Sequence, residues 1–153
     1  MRARRSGFTL VELLIVMTLM GIMGMYAYPR LRGSTAGWST RSARQQVTSM
    51  LIVARAAAIQ NGSEARFIRS GNVVRVTVDS SGTSVTLLSR DLYRENGVTF
   101  TTGGAARDTT RFDPRGVAIG LTGVAIFKFT NATVKDSICV SKLGKVARMG
   151  CTA

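Results

Sequence analysis

The run from Phe8 to Tyr28, Phe-Thr-Leu-Val-Glu-Leu-Leu-Ile-Val-Met-Thr-Leu-Met-Gly-Ile-Met-Gly-Met-Tyr-Ala-Tyr, holds twenty-one residues and a single charge, Glu12. As a helix rising about 1.5 Å per residue it reaches roughly 31 Å, the thickness of a bilayer's hydrocarbon core. Three arginines, Arg2, Arg4 and Arg5, stand directly ahead of it. Basic flanks stay on the cytoplasmic side, so the sequence predicts a single-pass helix with everything after it outside the cytoplasm. A secretory signal would end in small residues at a cleavage site; none with that pattern appears before Pro29, so the apolar run is expected to be retained.

Glu12 is costly in that setting. A carboxylate near the centre of a membrane helix costs about 2.5–3.5 kcal/mol on insertion scales, so it either sits wet among the headgroups or has a partner. The constellation Gly7-Phe8 followed by Glu12, with Pro29 twenty-one residues after Phe8, resembles the class III signal of type IV pilins and type II secretion pseudopilins. The resemblance implies that prepilin peptidase cuts between Gly7 and Phe8, that Phe8 becomes the N-methylated first residue, and that Glu12 meets the free amine of a neighbouring subunit during assembly. Met1 to Gly7 is then a leader, 8–28 the membrane and assembly helix, and 29–37 a kinked or flexible segment.

The remainder allows one modest domain, 38–153. Formal charge is +13, and after loss of the leader the side chains still carry +10. That excess implies anionic neighbours: inner-membrane lipid headgroups, acidic partner subunits or DNA. No acidic residue occurs between Glu12 and Glu64, while Arg30, Arg32, Arg41, Arg44 and Arg55 do. Pro29 and the stretch Gly33-Ser34-Thr35-Ala36-Gly37 predict a break in the helix. Helical spacing resumes over 38–60, where Ala43, Val47, Met50, Leu51, Ala54, Ala57 and Ala58 recur every three or four residues, and Asn61-Gly62 marks a stop. After that the period becomes two. Short strands are expected near 64–69, 72–79, 84–88, 97–101, 109–112, 117–120, 124–130, 136–141 and 145–149, with Asp113-Pro114-Arg115-Gly116 as a turn. The fold class read from this is α+β: a long N-terminal helix continuing into a helix packed on an antiparallel sheet. Leu51 to Ile59 and Phe112-Asp113-Pro114-Arg115-Gly116 also resemble segments of the GspH/FimT minor pseudopilins, and the likeness implies a type IV pilin-like fold.

Cys139 and Cys151 are the two cysteines, and the topology places them in an oxidising compartment. A Lys142-Leu143-Gly144 hairpin would set Cys139 opposite Ala147, leaving Cys151 about 13 Å along the strand, so a bond requires the tail to fold back at Gly150; two separate thiols are the alternative. The chain contains no histidine, its eight carboxylates are scattered, and two cysteines make no zinc cage, which points away from enzymes, metal sites and cofactors.

Beyond a single-pass membrane-anchored sheet domain with no assembly role, which leaves the Gly7, Phe8 and Glu12 constellation unexplained, two functional classes stand. One is a minor pseudopilin or pilin of a type II secretion or type IV pilus machine, cut by prepilin peptidase, held in the bacterial inner membrane with its C-terminal domain periplasmic, and assembled with other pilins into a filament. The other is a DNA-binding minor pilin for uptake. DNA-binding members of the family carry a late Gly-Arg-x-Arg stretch; here Gly144-Lys145-Val146-Ala147 and then Arg148 occupy that place. Lys135, Lys142, Lys145 and Arg148 are the candidate phosphate contacts, against the plainer reading of a solvated basic face.

Overall fold

The computed structural model describes residues 9–80, 82–104 and 108–148, apart from the side chains of 27–34. The chain divides into two compact units, Met1–Thr35 and Ala36–Ala153.

Helix α1, Leu10–Asn61, is 52 residues long. It opens on Thr9, whose Oγ1 accepts from the Glu12 backbone N–H at 3.2 Å, so Thr9-x-x-Glu12 follows the pattern of a capping box, with the acid favourably placed at the positive end of the helix dipole. The helix is continuous in secondary structure through Pro29 to Gly37, which corrects the expected break. Proline deletes one backbone bond, and at a cost of about 3 kcal/mol that loss is sustained by a helix with many turns on either side. The stop falls where the sequence placed it: Gly62 adopts φ +60°, and Ser63 N–H bonds back to the Ala58 carbonyl.

Within the first unit every described side chain from Thr9 to Tyr26 is exposed. At about 1.5 Å per residue, the stretch Leu10 to Tyr26 covers about 25 Å, short of a hydrocarbon core; among the described residues no helix is long and apolar enough to cross a membrane.

The second unit packs the C-terminal part of α1 against nine strands. Strands β1 (Ala65–Ser70), β2 (Val73–Ser80), β3 (Thr83–Asp91), β5 (Thr109–Phe112) and β6 (Ala118–Ile119) form one antiparallel sheet in the order β3-β2-β1-β5-β6; β4 (Thr99–Gly104), β7 (Ala125–Asn131), β8 (Val134–Val140) and β9 (Val146–Ala147) form a second, β4-β7-β8-β9. The single sheet expected from the alternation is thus two. A short helix α2, Leu92–Asn96, lies between them in sequence, capped by Asp91 at its start and by Gly97 at φ 64°. Five residues are too few for a helical period to show.

All seven small or apolar residues of the expected helical stripe are buried, and they share one core with Phe67, Phe112, Phe100, Phe127 and Phe129. The sheets meet through aromatic rings: Phe67 stands edge-on to Phe127 at 5.7 Å and 73°, while Phe100 stacks on Phe127 at 5.8 Å and on Phe129 at 5.2 Å.

The Asp113 turn locks β5 to β6. Gly116 N–H donates to the Asp113 carbonyl at 2.8 Å, and the buried Asp113 carboxylate accepts from Arg115 N–H, Val117 N–H and Arg115 Nε at 2.9–3.0 Å. The Val117 N–H, opposed by desolvation and helped by Arg115, holds the Asp113 carboxyl below its usual value. A depressed folded-state pKa contributes stability above the ordinary carboxylate pKa of about 4, lost as pH falls through the folded value. Asp113→Asn is therefore expected to be less stable than the parent at pH 7, with the gap closing below about pH 4; a constant gap from pH 7 to pH 2 in denaturant melts would refute the ionised role.

Candidate functional site

Four places identified in the sequence bear on function. Gly7 and Phe8 lie outside the described residues. Glu12 is in the first turn of α1, on a stretch exposed all round. Such a helix has no polar face to give water and requires an apolar partner on every side.

Charge pairing sets Glu12 apart. Glu64 meets Arg66 at 2.7 Å and Arg111 at 3.8 Å; Asp79 meets Arg66, Asp108 meets Arg69, Glu95 meets Arg90, Asp113 meets Arg115 and Asp136 meets Arg44, at 2.7–3.6 Å. Asp91 is held as the α2 cap by the N–H groups of Tyr93 and Arg94, both at 3.1 Å. Seven of the eight carboxylates are therefore engaged. Among the described residues Glu12 alone has neither an ion pair nor a capping bond to its carboxylate.

Cys139 is disulfide-bonded and lies opposite Ala147, the register expected from a turn at Lys142 to Gly144. Ser141 N–H bonds to the Lys145 carbonyl and Gly144 N–H to the Ser141 carbonyl, closing that turn. Cys151 lies outside the described residues.

Of the four candidate phosphate contacts, Lys135 and Arg148 line one recess, and Lys142 and Lys145 do not line it. Lys142 and Lys145 are exposed at the β8–β9 turn. Lys135 is five residues before Val140, whose partner is Val146, so it stands roughly 17 Å along the strand from that end. Strand β9 is only two residues long, and Lys145 and Arg148 lie on either side of it, outside the strand.

What the structure does assemble is a different basic surface. A recess of about 250 Å³ is lined by Gly37, Thr40, Arg41, Val134, Lys135, Asp136 and Arg148. A second, of about 270 Å³, adjoins it through Arg148 and reaches Arg44, Thr48, Ile138 and Val146. Helix α1 supplies one wall, and β8 with β9 supplies the other. Arg44 Nε is 3.2 Å from Asp136 Oδ2, which satisfies the one acid there; Arg41, Lys135 and Arg148 have no ion pair among the described residues. Arg41 and Arg44 escaped the sequence reading as members of this surface, although an α1 with no acid from Arg30 to Asn61 was a signal.

Arg55 is a further residue that the sequence did not single out. Its Nη1 donates to the Gly144 carbonyl at 3.3 Å, and its buried Nε has no hydrogen-bond partner. It is wedged between the Asp113 turn and the β8–β9 turn: a Cβ at Gly116 would stand 2.9 Å from Arg55 Nε, and one at Gly144 would run into the Gly116 carbonyl oxygen.

The prokaryotic N-terminal methylation motif matches residues 2–28, and the family profile of the type II transport protein GspH matches residues 43–144. A crystal structure of the type IV minor pilin FimU of Pseudomonas aeruginosa superposes with a TM-score of 0.60 at 18% identity, covering 72% of this chain and 88% of that one. A second crystal form of FimU gives 0.58 at 17% identity, covering 72% and 92%. The fold is thus α+β and type IV pilin-like. Among curated protein sequences no match was found.

Proposed function

Because this chain belongs to the family of the type II transport protein GspH, we propose that it is a minor pseudopilin or pilin of a type II secretion or type IV pilus machine, cut between Gly7 and Phe8, methylated at Phe8, and assembled through α1. The observation that carries this is the N-terminal part of α1: an apolar helix exposed from Thr9 to Tyr26, bearing the one carboxylate with neither an ion pair nor a capping role among the described residues. A membrane solves the exposure before assembly, and a bundle of like helices solves it afterwards. Cleavage creates an amine, and an amine is what a lone carboxylate in an apolar helix requires. In this reading the chain sits in the inner membrane with 36–153 outside the cytoplasm, where a Cys139–Cys151 bond ties the C-terminal tail to β8. Its task is structural.

DNA uptake draws no comparable support, since Lys142 and Lys145 are not among the residues lining the recess that Lys135 and Arg148 share.

Glu12→Leu tests the assembly role. Removing a charge from an apolar helix leaves insertion and processing intact, so the variant is expected in the membrane at normal level and with a normal N-terminus, but depleted several-fold from sheared or co-purified filament fractions. Unchanged recruitment would end the pairing idea; failure to insert would show that Glu12 serves another purpose.

A further inference from the structure

The basic surface between α1 and the β8–β9 edge has a property that bears on which subunits this chain can join. Its cations Arg41, Lys135 and Arg148 carry no ion pair among the described residues, and the acid beside them, Asp136, is taken by Arg44. Val134 is the one apolar side chain in the first recess, beside Gly37 and Thr40; the second recess is the more apolar, with half-buried Val146 and Ala147 over the core residue Ile138. From Gly37 to Thr48 the α1 wall is about 16 Å long, the reach of about five extended residues. One edge of the surface is β9, the last strand of its sheet, beside which an extended segment is able to lie.

A second copy of this chain offers little to such a surface. Between Ala36 and Arg148 every carboxylate is already engaged, in an ion pair or, for Asp91, as a helix cap. The α1 of another copy brings only arginines after Glu12, and like charges facing each other across an interface are a penalty. The geometry points to a heteromeric contact: the groove lined by Arg41, Lys135 and Arg148 receives an extended acidic segment, with alternate apolar side chains, from a different protein subunit. The apolar surface of the second recess favours a peptide over nucleic acid, because phosphate contacts make no use of it. This deepens the reading as an assembling subunit and rests on it for the origin of the partner, but the groove is testable without a filament.

Full-length protein in detergent is titrated with two ten-residue peptides of equal charge, one alternating Glu and Val, the other Glu and Ser, and with a short random-sequence duplex DNA. The Glu/Val peptide is expected to bind at least about tenfold more tightly than the Glu/Ser peptide. Arg41→Glu with Arg148→Glu is expected to weaken it about tenfold or more, while Lys142→Glu with Lys145→Glu, whose side chains line neither recess, leaves it within about twofold. Circular dichroism confirms that each variant is folded, and Arg41→Gln with Arg148→Gln, expected to weaken binding by a smaller factor, replaces the reversal if that variant does not fold. Absence of peptide binding, equal binding of the two peptides, equal loss in both double variants, or tighter binding of the DNA lost on Arg41/Arg148 substitution would each overturn the proposal. A failure here with normal Glu12-dependent recruitment would leave the assembly role standing and remove only the acidic partner.

Discussion

Phe127→Ala is expected to destabilise the second unit by about 3–5 kcal/mol, the range for deleting a fully buried aromatic ring. Phe127 is completely buried and, among the described residues, is the one ring that touches an aromatic side chain in both sheets, Phe67 in the first and Phe100 in the second. Its removal opens a cavity where β1, β4 and β7 come together, and those strands are hydrogen-bonded into their sheets and unable to collapse inward freely. Phe127→Leu retains much of the volume and is expected to cost distinctly less. Chemical denaturation of the two variants beside the parent makes the comparison; equal, small losses would mean that the sheets are held together elsewhere.

The second large effect is predicted at Gly144. The residue is buried, adopts φ +71°, and lies so close to Gly116 that an added Cβ would overlap its carbonyl oxygen, with Arg55 and Phe112 on the other sides. Gly144→Val combines a backbone conformation that β-branched residues avoid with a clash against main chain, which no rotamer relieves. The expected loss is about 3 kcal/mol or more. Because Arg55 is held by the Gly144 carbonyl, a displaced turn also frees that arginine. Gly144→Val melting within about 1 kcal/mol of the parent would show that the turn relaxes without disturbing its neighbours.

What was legible in the sequence follows from how local each signal is. The apolar stripe from Ala43 to Ala58 is set by a period within one helix, and each of its residues is buried. The Asp113 to Gly116 turn and the pairing of Cys139 with Ala147 are short-range consequences of proline, glycine and turn length. The fold class rested on those signals and on the family likeness, and it held. The division into two sheets was not legible: β5 leaves its sequence neighbour β4 to pair with β1, 41 residues earlier at the Ile68–Thr109 pair, and alternation says which face is inward without saying which strand lies alongside. The continuous helix across Pro29 was missed because a proline signals a lost hydrogen bond, and one lost bond does not terminate a helix with many turns on both sides.

The candidate site divides in the same way. Glu12 stood out at once because its surroundings in sequence are apolar. The basic groove was invisible because Arg41 and Arg148 are more than a hundred residues apart and meet only through the packing of α1 on β8 and β9. Lys142 and Lys145, close to Arg148 in sequence, stand at the β8–β9 turn and line neither recess.

In the proposed function the N-terminal helix is a processed assembly element. Its most direct test is the intact mass of the protein recovered from the membranes of cells with an active prepilin peptidase. The mass is predicted to correspond to a chain beginning at Phe8 with one added methyl group; a chain still carrying Met1 to Gly7 in those cells would contradict it.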